Sequence, residues 1–497
     1  MTARPARRAL LTGGLAASLA GLTGCAARGR VVRPEDDVVA RVEGRRRTTR
    51  SSQTVRSALT ARTSSVDLGG VAVDTWAFDA QVPGPELRVT AGQTLRVAVS
   101  NSLPAPTTVH WHGLALRNDM DGVPGVTQEP IDAGGAFTYE FIAPDPGTYF
   151  YHPHVGVQLD RGLYGALIVD DPHEPGLYDL EWVVVLDDWI DGTGTTPEEV
   201  LQGLLAGGTP HEDMPGMSMD GGAGSKRDSP GTPLLGSGGD VEHPHYLING
   251  RISSAPVTLS GRPGQRVRVR LINAAADTAF RLAIGGHRIT VTHSDGFPVA
   301  PVTGDALLIG MGERYDFTVT LGDGAFPLVA RAEGKDGEAR AVVRTASGRR
   351  PATSSTPAEL KGRILTVDDL NPVDSARLVP RAVTRRLPFQ LRGSMSPYRW
   401  TINGQSFPDG DALDVRDGER VRLEVVNTST MFHPVHLHGH TFAVADNGVR
   451  KDTVLVRPRQ RMLLDFDADN PGQWVAHCHN IYHAEAGMMA TVAYVTR

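Results

Sequence analysis

Three stretches of the chain read alike: GQTLRVAVSN at 92–101, GQRVRVRLIN at 264–273 and GERVRLEVVN at 418–427. Each is Gly, two residues, an apolar residue, Arg, an apolar residue, any, an apolar residue, any, Asn. That alternation is the signature of a half-buried β-strand opened by a Gly turn. The copies start about 150–170 residues apart, far more than the period of a solenoid repeat. They point instead to one domain present three times. A chain of 497 residues has room for roughly three domains of about 150 residues. Its 56 glycines and 34 prolines favour turns and short strands. The expected fold class is therefore all-β, with three β-sandwich domains.

Composition shifts suggest the boundaries. Domains are expected at 56–172, 173–345 and 385–497, with a linker at 346–384 rich in Ser, Pro and Arg. Residues 26–55 carry many arginines and read as a flexible tether. The Gly-rich stretch 191–240 reads as a flexible loop and contains HEDMPGMSMDGG at 211–222.

Residues 1–25 read as an export signal, with a basic start, an apolar stretch and small residues at the end. Arg7-Arg8 resembles a twin-arginine signal. Leu22-Thr23-Gly24-Cys25 resembles a lipobox, in which Cys25 would carry the lipid and anchor the protein to the extracytoplasmic face or periplasmic side of a membrane. The net charge of -6 gives no field for nucleic acid. Of the two cysteines, only Cys478 is left for the folded body, so no intramolecular disulfide is expected there.

Segments that follow the repeat differ. The first leads into VHWHG and the third into HPVHLHGH, while the middle copy has no histidine pair and looks like a spacer. Four His-x-His pairs stand out: His110/His112, His152/His154, His436/His438 and His477/His479. On a strand, residues i and i+2 share a face, so each pair presents two imidazoles side by side. Eight imidazoles exceed the needs of one metal and suit two or three. Cys478 is offset by one from both His477 and His479 and must face the other way. His433, offset by three from His436, leans to that second face too, with His483 and Met488 in the following loop. Two His, one Cys and a Met form the donor set of a blue-copper electron-transfer site. His173, His287 and His293 are expected to hold no metal. His243 and His245 read as loop contacts, and His440 as structural.

HWHG, HPH, HPVHLHGH and HCHNIYHAEAGM resemble, in order, the four copper motifs of the multicopper oxidase family, and GERYD at 312–316 is similar to the family as well. The resemblance spans about residues 55–497 and is nearest to exported bacterial three-domain members. It implies cupredoxin-like Greek-key sandwiches and four copper ions. His433, Cys478, His483 and Met488 would hold the type 1 ion, and His110 and His436 the type 2 ion. His112, His152 and His479 would hold one type 3 ion, and His154, His438 and His477 the other. Asp121 matches an acid near the cluster and would deliver protons. Many bacterial relatives have a second acid directly after the histidine that matches His483. Here Ala484 stands there, and Glu485 is the candidate substitute.

The resemblance also implies the reaction: one-electron oxidation of a donor coupled to four-electron reduction of O2 to water. The favoured donor is Cu(I), as in copper detoxification, because Met214, Met217 and Met219 offer thioethers. Met431 matches a substrate-side methionine of cuprous-oxidising relatives. A laccase-type oxidase of small phenols is the alternative. A non-enzymatic copper carrier would need only the type 1 set. The protein is expected to be a monomer.

Overall fold

The structure is a computed structural model. It describes residues 29–45, 51, 53–174, 176–207, 234–346, 350–352 and 354–496. The export signal with Cys25, and the methionine stretch with Met214, Met217 and Met219, lie outside the described residues.

The three repeated stretches take the same place in three sheets. Thr94–Ser102 pairs in parallel with Thr54–Asp67 and antiparallel with Ala136–Ile142. Arg266–Asn273 does the same between Leu180–Trp189 and Arg314–Thr320. Arg420–Asn427 does so between Arg385–Met395 and Arg461–Asp467. In each copy the opening glycine (Gly92, Gly264, Gly418) has a positive φ of 82 to 89°, which suits glycine. In the first copy the alternation buries Leu95, Val97 and Val99 completely. The middle copy departs from the expected half-buried pattern. Its strand is covered on both faces, because Arg268 and Arg270 are buried in ion pairs with Asp316 and Glu181.

The closing asparagine explains why the repeat ends as it does. Asn101, Asn273 and Asn427 each accept from the backbone N–H two residues on, at 2.9 to 3.0 Å. Each amide then donates to carbonyls across the loop that follows. For Asn427 these are Met431 O at 2.7 Å and Arg457 O at 2.9 Å. This clamp fixes the loop that leads to His433. Asn427→Ala removes the clamp and orphans buried backbone groups, at about 1–3 kcal/mol each. A loss of about 2–4 kcal/mol is expected in thermal denaturation. A loss within about 0.5 kcal/mol, as at an ordinary surface site, would contradict the clamp.

A second sheet lies in each repeat unit, and in the first and third it carries the histidine pairs. In the first unit, His110–His112 pairs antiparallel with Gly147–His152, placing His110 opposite His152. In the third, His433–Leu437 pairs with Gln473–Cys478, placing His436 opposite His477 and Val435 opposite Cys478. Adjacent strands therefore bring two motifs of each unit into one cluster.

Three expectations about connecting segments change. Residues 29–42, read as part of a tether, are packed: Val31 bridges Val495, Val32 N donates to Tyr494 O, and Val39 and Val42 are buried. A few valines among the arginines suffice to dock the segment on the third unit. Within the 346–384 connection, residues 357–376 are packed, with Leu360, Leu365 and Leu370 buried and Ile364–Leu365 added as a strand to the middle unit. Within 191–240, Pro197–Leu205 is an α-helix started by a Thr196/Glu199 capping box.

Candidate metal centre

The eight paired histidines converge where the second sheets of the first and third units meet. His110 stacks on His438 and His112 on His436, each with ring centroids 3.8 Å apart. His477 and His438 bring their Nε2 atoms to 3.1 Å. His154 lies 5.2 Å from His477, and His479 lies 4.8 Å from His112, centroid to centroid. His110, His436 and His438 form one group of converging ligand atoms, and so do His154, His438 and His477. Two chain segments far apart in sequence, 110–154 and 436–479, thus build one centre.

On most of these rings one nitrogen is already committed. Nδ1–H donates to a backbone carbonyl in His110 (Asp121 O, 2.8 Å), His152 (Pro153 O, 2.8 Å), His436 (Asp452 O, 2.9 Å) and His477 (Cys478 O, 2.8 Å). The Nε2 atoms of His110, His152 and His436 are buried without a partner. His112 is turned the other way: Nε2 faces Thr453 Oγ1 at 3.0 Å and Nδ1 is the orphan. His438 gives its Nδ1–H to Asp121 Oδ2 at 2.9 Å. The His438 and His477 Nε2 lone pairs then face each other at 3.1 Å, which only a shared cation or proton makes favourable. Burial, reinforced by the neighbouring imidazoles, lowers the pKa of His112, His152, His154, His438 and His479 well below the usual value. They are neutral, as metal ligands must be.

Across the strand lies the second face. Cys478 Sγ is 3.5 Å from His433 Nδ1 and 3.6 Å from His483 Nδ1, and the two Nδ1 atoms are 3.1 Å apart. The parity of the HCH motif thus separates the thiol from its histidine neighbours as expected. His433 Nε2 is held by Ser429 Oγ and His483 Nε2 by Asp240 Oδ2, each at 2.8 Å. Both Nδ1 atoms consequently face the thiol and each other. Met488 is fully buried, and its loop is clasped by Cys478 N donating to Met488 O and Met488 N donating to His483 O. Trp400 covers His483, with ring centroids 3.9 Å apart. Burial opposes charge on His483, but the Asp240 carboxylate outweighs it and holds the pKa up to about 10.

Asp121 is buried among the histidines. Its Oδ1 lies 3.3 Å from His110 Nδ1 and has no hydrogen-bond partner. Glu485 is not so placed. It is exposed at the end of the Ile481–Glu485 helix, while Ala484 is buried with Val123, Val475 and Met489. One helical position turns a side chain by about 100°, so an acid moved from 484 to 485 leaves that face. His440 bonds Tyr494 Oη, and His287 accepts from Gly322 N; both are structural contacts. His243, read as a loop contact, is instead buried between Asp160 and Asp188.

Sequence reasoning missed four neighbours of the site. Asp452 lies 3.3 Å from His112 Nε2, and Arg314 of the GERYD motif grips it. Asp240 and Trp400 enclose His483. The GERYD stretch, which contains Arg314, and the charged Arg450-Lys451-Asp452 run just before Thr453–Val456 were the available signals.

Orphaned nitrogens, facing lone pairs and a buried thiol fit copper at both faces. The comparisons agree. The chain matches the multicopper oxidase family over residues 60–174, 181–348 and 381–497. It is 49% identical over 450 residues to Multicopper oxidase MmcO of Mycobacterium tuberculosis, covering 90% of this chain and 88% of that one. It is 27% identical to Copper resistance protein A of Escherichia coli, covering 87% and 91%. Among solved structures it is similar to a multi-copper oxidase from Pseudomonas thermotolerans, with 27% identity, a TM-score of 0.68 and coverage of 90% and 100%. It is also similar to the laccase from Botrytis aclada, with 26% identity, a TM-score of 0.71 and coverage of 91% and 90%. The match to the family over all three segments and the 49% identical relative show that the chain belongs to the multicopper oxidase family of copper-dependent oxidoreductases.

Proposed function

We propose that the chain holds four copper ions within three domains at 56–172, 173–345 and 385–497. His433, Cys478, His483 and Met488 hold the type 1 ion. His110 and His436 hold the type 2 ion. His112, His152 and His479 hold one type 3 ion, and His154, His438 and His477 the other. The single observation that carries this reading is the arrangement of free ring nitrogens around one buried point, back to back with a Cys–His–His set. Bound copper supplies the one-electron redox chemistry and the capacity to reduce O2 to water. The protein's part is to orient and to protonate. Backbone carbonyls fix the ring nitrogens, and the 477–479 peptide joins the two faces covalently. Asp121, whose Oδ1 is buried and unpartnered beside His110, is the group placed to deliver protons. Glu485 faces solvent and receives no role at the histidines.

The favoured electron donor is Cu(I), with copper detoxification as the purpose. His433 and His483 are completely buried, and Asp240 caps the His483 nitrogen that would otherwise face a donor. This enclosure disfavours an organic donor that must touch the imidazole. Met431, two residues from His433, is 9% exposed and takes a contact from Ser237 Oγ at 3.3 Å. Its thioether suits Cu(I). Met214, Met217 and Met219 precede Ser237 and would extend this supply. Phenol oxidation is the second reading, favoured by the likeness to the Botrytis laccase. Met431→Leu is expected to lower the ratio of kcat/KM for Cu(I) to that for a phenol by about tenfold, or ~1.4 kcal/mol. An unchanged ratio would remove Met431 from the donor site and move preference to the phenol reading.

The chain would be exported by the twin-arginine route and anchored through a lipid on Cys25, acting as a monomer. No helix among the described residues is long and apolar enough to cross a membrane. Cys25→Ala is expected to move the protein from the membrane fraction to the soluble extracytoplasmic fraction. Continued membrane association would refute the anchor.

A further inference from the structure

The middle unit reaches the histidine centre through two residues of GERYD. Gly312 has a φ of +79°, and a Cβ there would lie 2.8 Å from His479 Cδ2 and 3.0 Å from His112 Cε1. Arg314, completely buried, donates from both terminal nitrogens to the two oxygens of Asp452, each at 2.6 Å. The same guanidinium donates to Thr148 O of the first unit at 3.1 Å and to Gly312 O at 3.0 Å. One side chain therefore ties all three units. Its position is fixed from behind as well. Arg314 N donates to Asp295 Oδ1, and Asp295 Oδ2 accepts from Asp452 N and Thr453 N at 3.2 Å each. A Cβ on Gly113 would strike Arg314 Nη2, so the space is full.

Asp452 is the group through which this clamp meets the rings. Its Oδ1 lies 3.3 Å from His112 Nε2 and 3.5 Å from His436 Nδ1. It also accepts from Thr453 Oγ1 at 2.9 Å, and that hydroxyl sits 3.0 Å from both ring nitrogens. Because Thr453 gives its proton to Asp452, its oxygen can only accept from the imidazoles. His112 must then carry its proton on Nε2 and His436 on Nδ1. These are opposite tautomers, and they leave His112 Nδ1 and His436 Nε2 as the free atoms, the two that are buried without partners. A carboxylate free to rotate would lose the Thr453 proton and with it the choice of tautomer.

We propose that Arg314, from the unit without paired metal-site histidines, is a positioning residue that selects the ligating nitrogens of His112 and His436 by locking Asp452. The inference rests on the reading of these histidines as copper ligands. Lysine keeps the charge but cannot grip two oxygens at once. The test is electron paramagnetic resonance and copper content of the copper-loaded protein for Arg314→Lys and for Asp452→Asn, with the blue absorbance as a control for folding and type 1 copper. The expected result is a retained blue band, an altered or lost type 2 signal, and oxygen uptake lower by about 10–100-fold, as when a group orienting a metal ligand is removed. A type 2 signal and copper content equal to wild type in both variants would overturn the proposal, even if thermal stability fell, because a merely structural ion pair gives that outcome. If Arg314→Lys loses the blue band through misfolding, Asp452→Asn decides alone. A wild-type protein with no type 2 signal would instead refute the copper assignment beneath it.

Discussion

Cys478→Ser protein loaded with copper is expected to be colourless and to take up oxygen at no more than background rate. The blue colour of a type 1 site needs the thiolate, and the alcohol of serine is a poor copper ligand. Cys478 also touches both faces: its sulfur meets His433 and His483, and its carbonyl accepts from His477 Nδ1. The loss should exceed the about 10–100-fold typical of a mutated outer partner. His477 keeps its ring bond to the residue 478 carbonyl and His479 its main-chain bond to Pro434 O, so copper at the other face should remain. Visible absorbance and oxygen uptake measure this, and a blue Cys478→Ser protein would contradict the type 1 assignment.

The opposite dissociation is expected for His154→Ala. His154 lies in the first unit, with its ring 5.1 Å from His438 and 5.2 Å from His477, centroid to centroid. It makes no contact with the Cys478 set. The variant should keep its blue band and be reducible by donor, yet lose oxygen uptake by about 100-fold or more, beyond the range for an outer partner. His110→Ala should behave alike, since His110 stacks on His438 across the same junction. Turnover near wild type in either variant would contradict a centre shared between the first and third units.

Much of this was legible in the sequence because the decisive rule is local. Alternation along a strand separates Cys478 from His477 and His479 with no knowledge of the fold. The repeated strands were equally legible, and their Gly and Asn ends proved to be a turn and a clamp. What stayed hidden depends on distance along the chain. Arg314 meets Asp452 138 residues on, and Asp240 meets His483 243 residues on. Nothing within a strand pattern says which buried arginine has a partner. The middle unit read as a spacer because it contributes a partner to the site, Arg314, and no His-x-His pair after its repeat. Composition misled at 29–42, because the arginines of the whole 26–55 stretch masked the valines that dock its first part. At 191–240 the glycines outweighed a capping box, Thr-Pro-Glu-Glu at 196–199, that marked the helix.

The most direct measurement is copper per chain together with the fraction seen by electron paramagnetic resonance. The expected result is about four copper ions per chain, with about half the copper silent because two ions form a coupled pair between His112, His152 and His479 on one side and His154, His438 and His477 on the other. One copper per chain, or full signal from all copper bound, would contradict a three-copper centre built jointly by the first and third units.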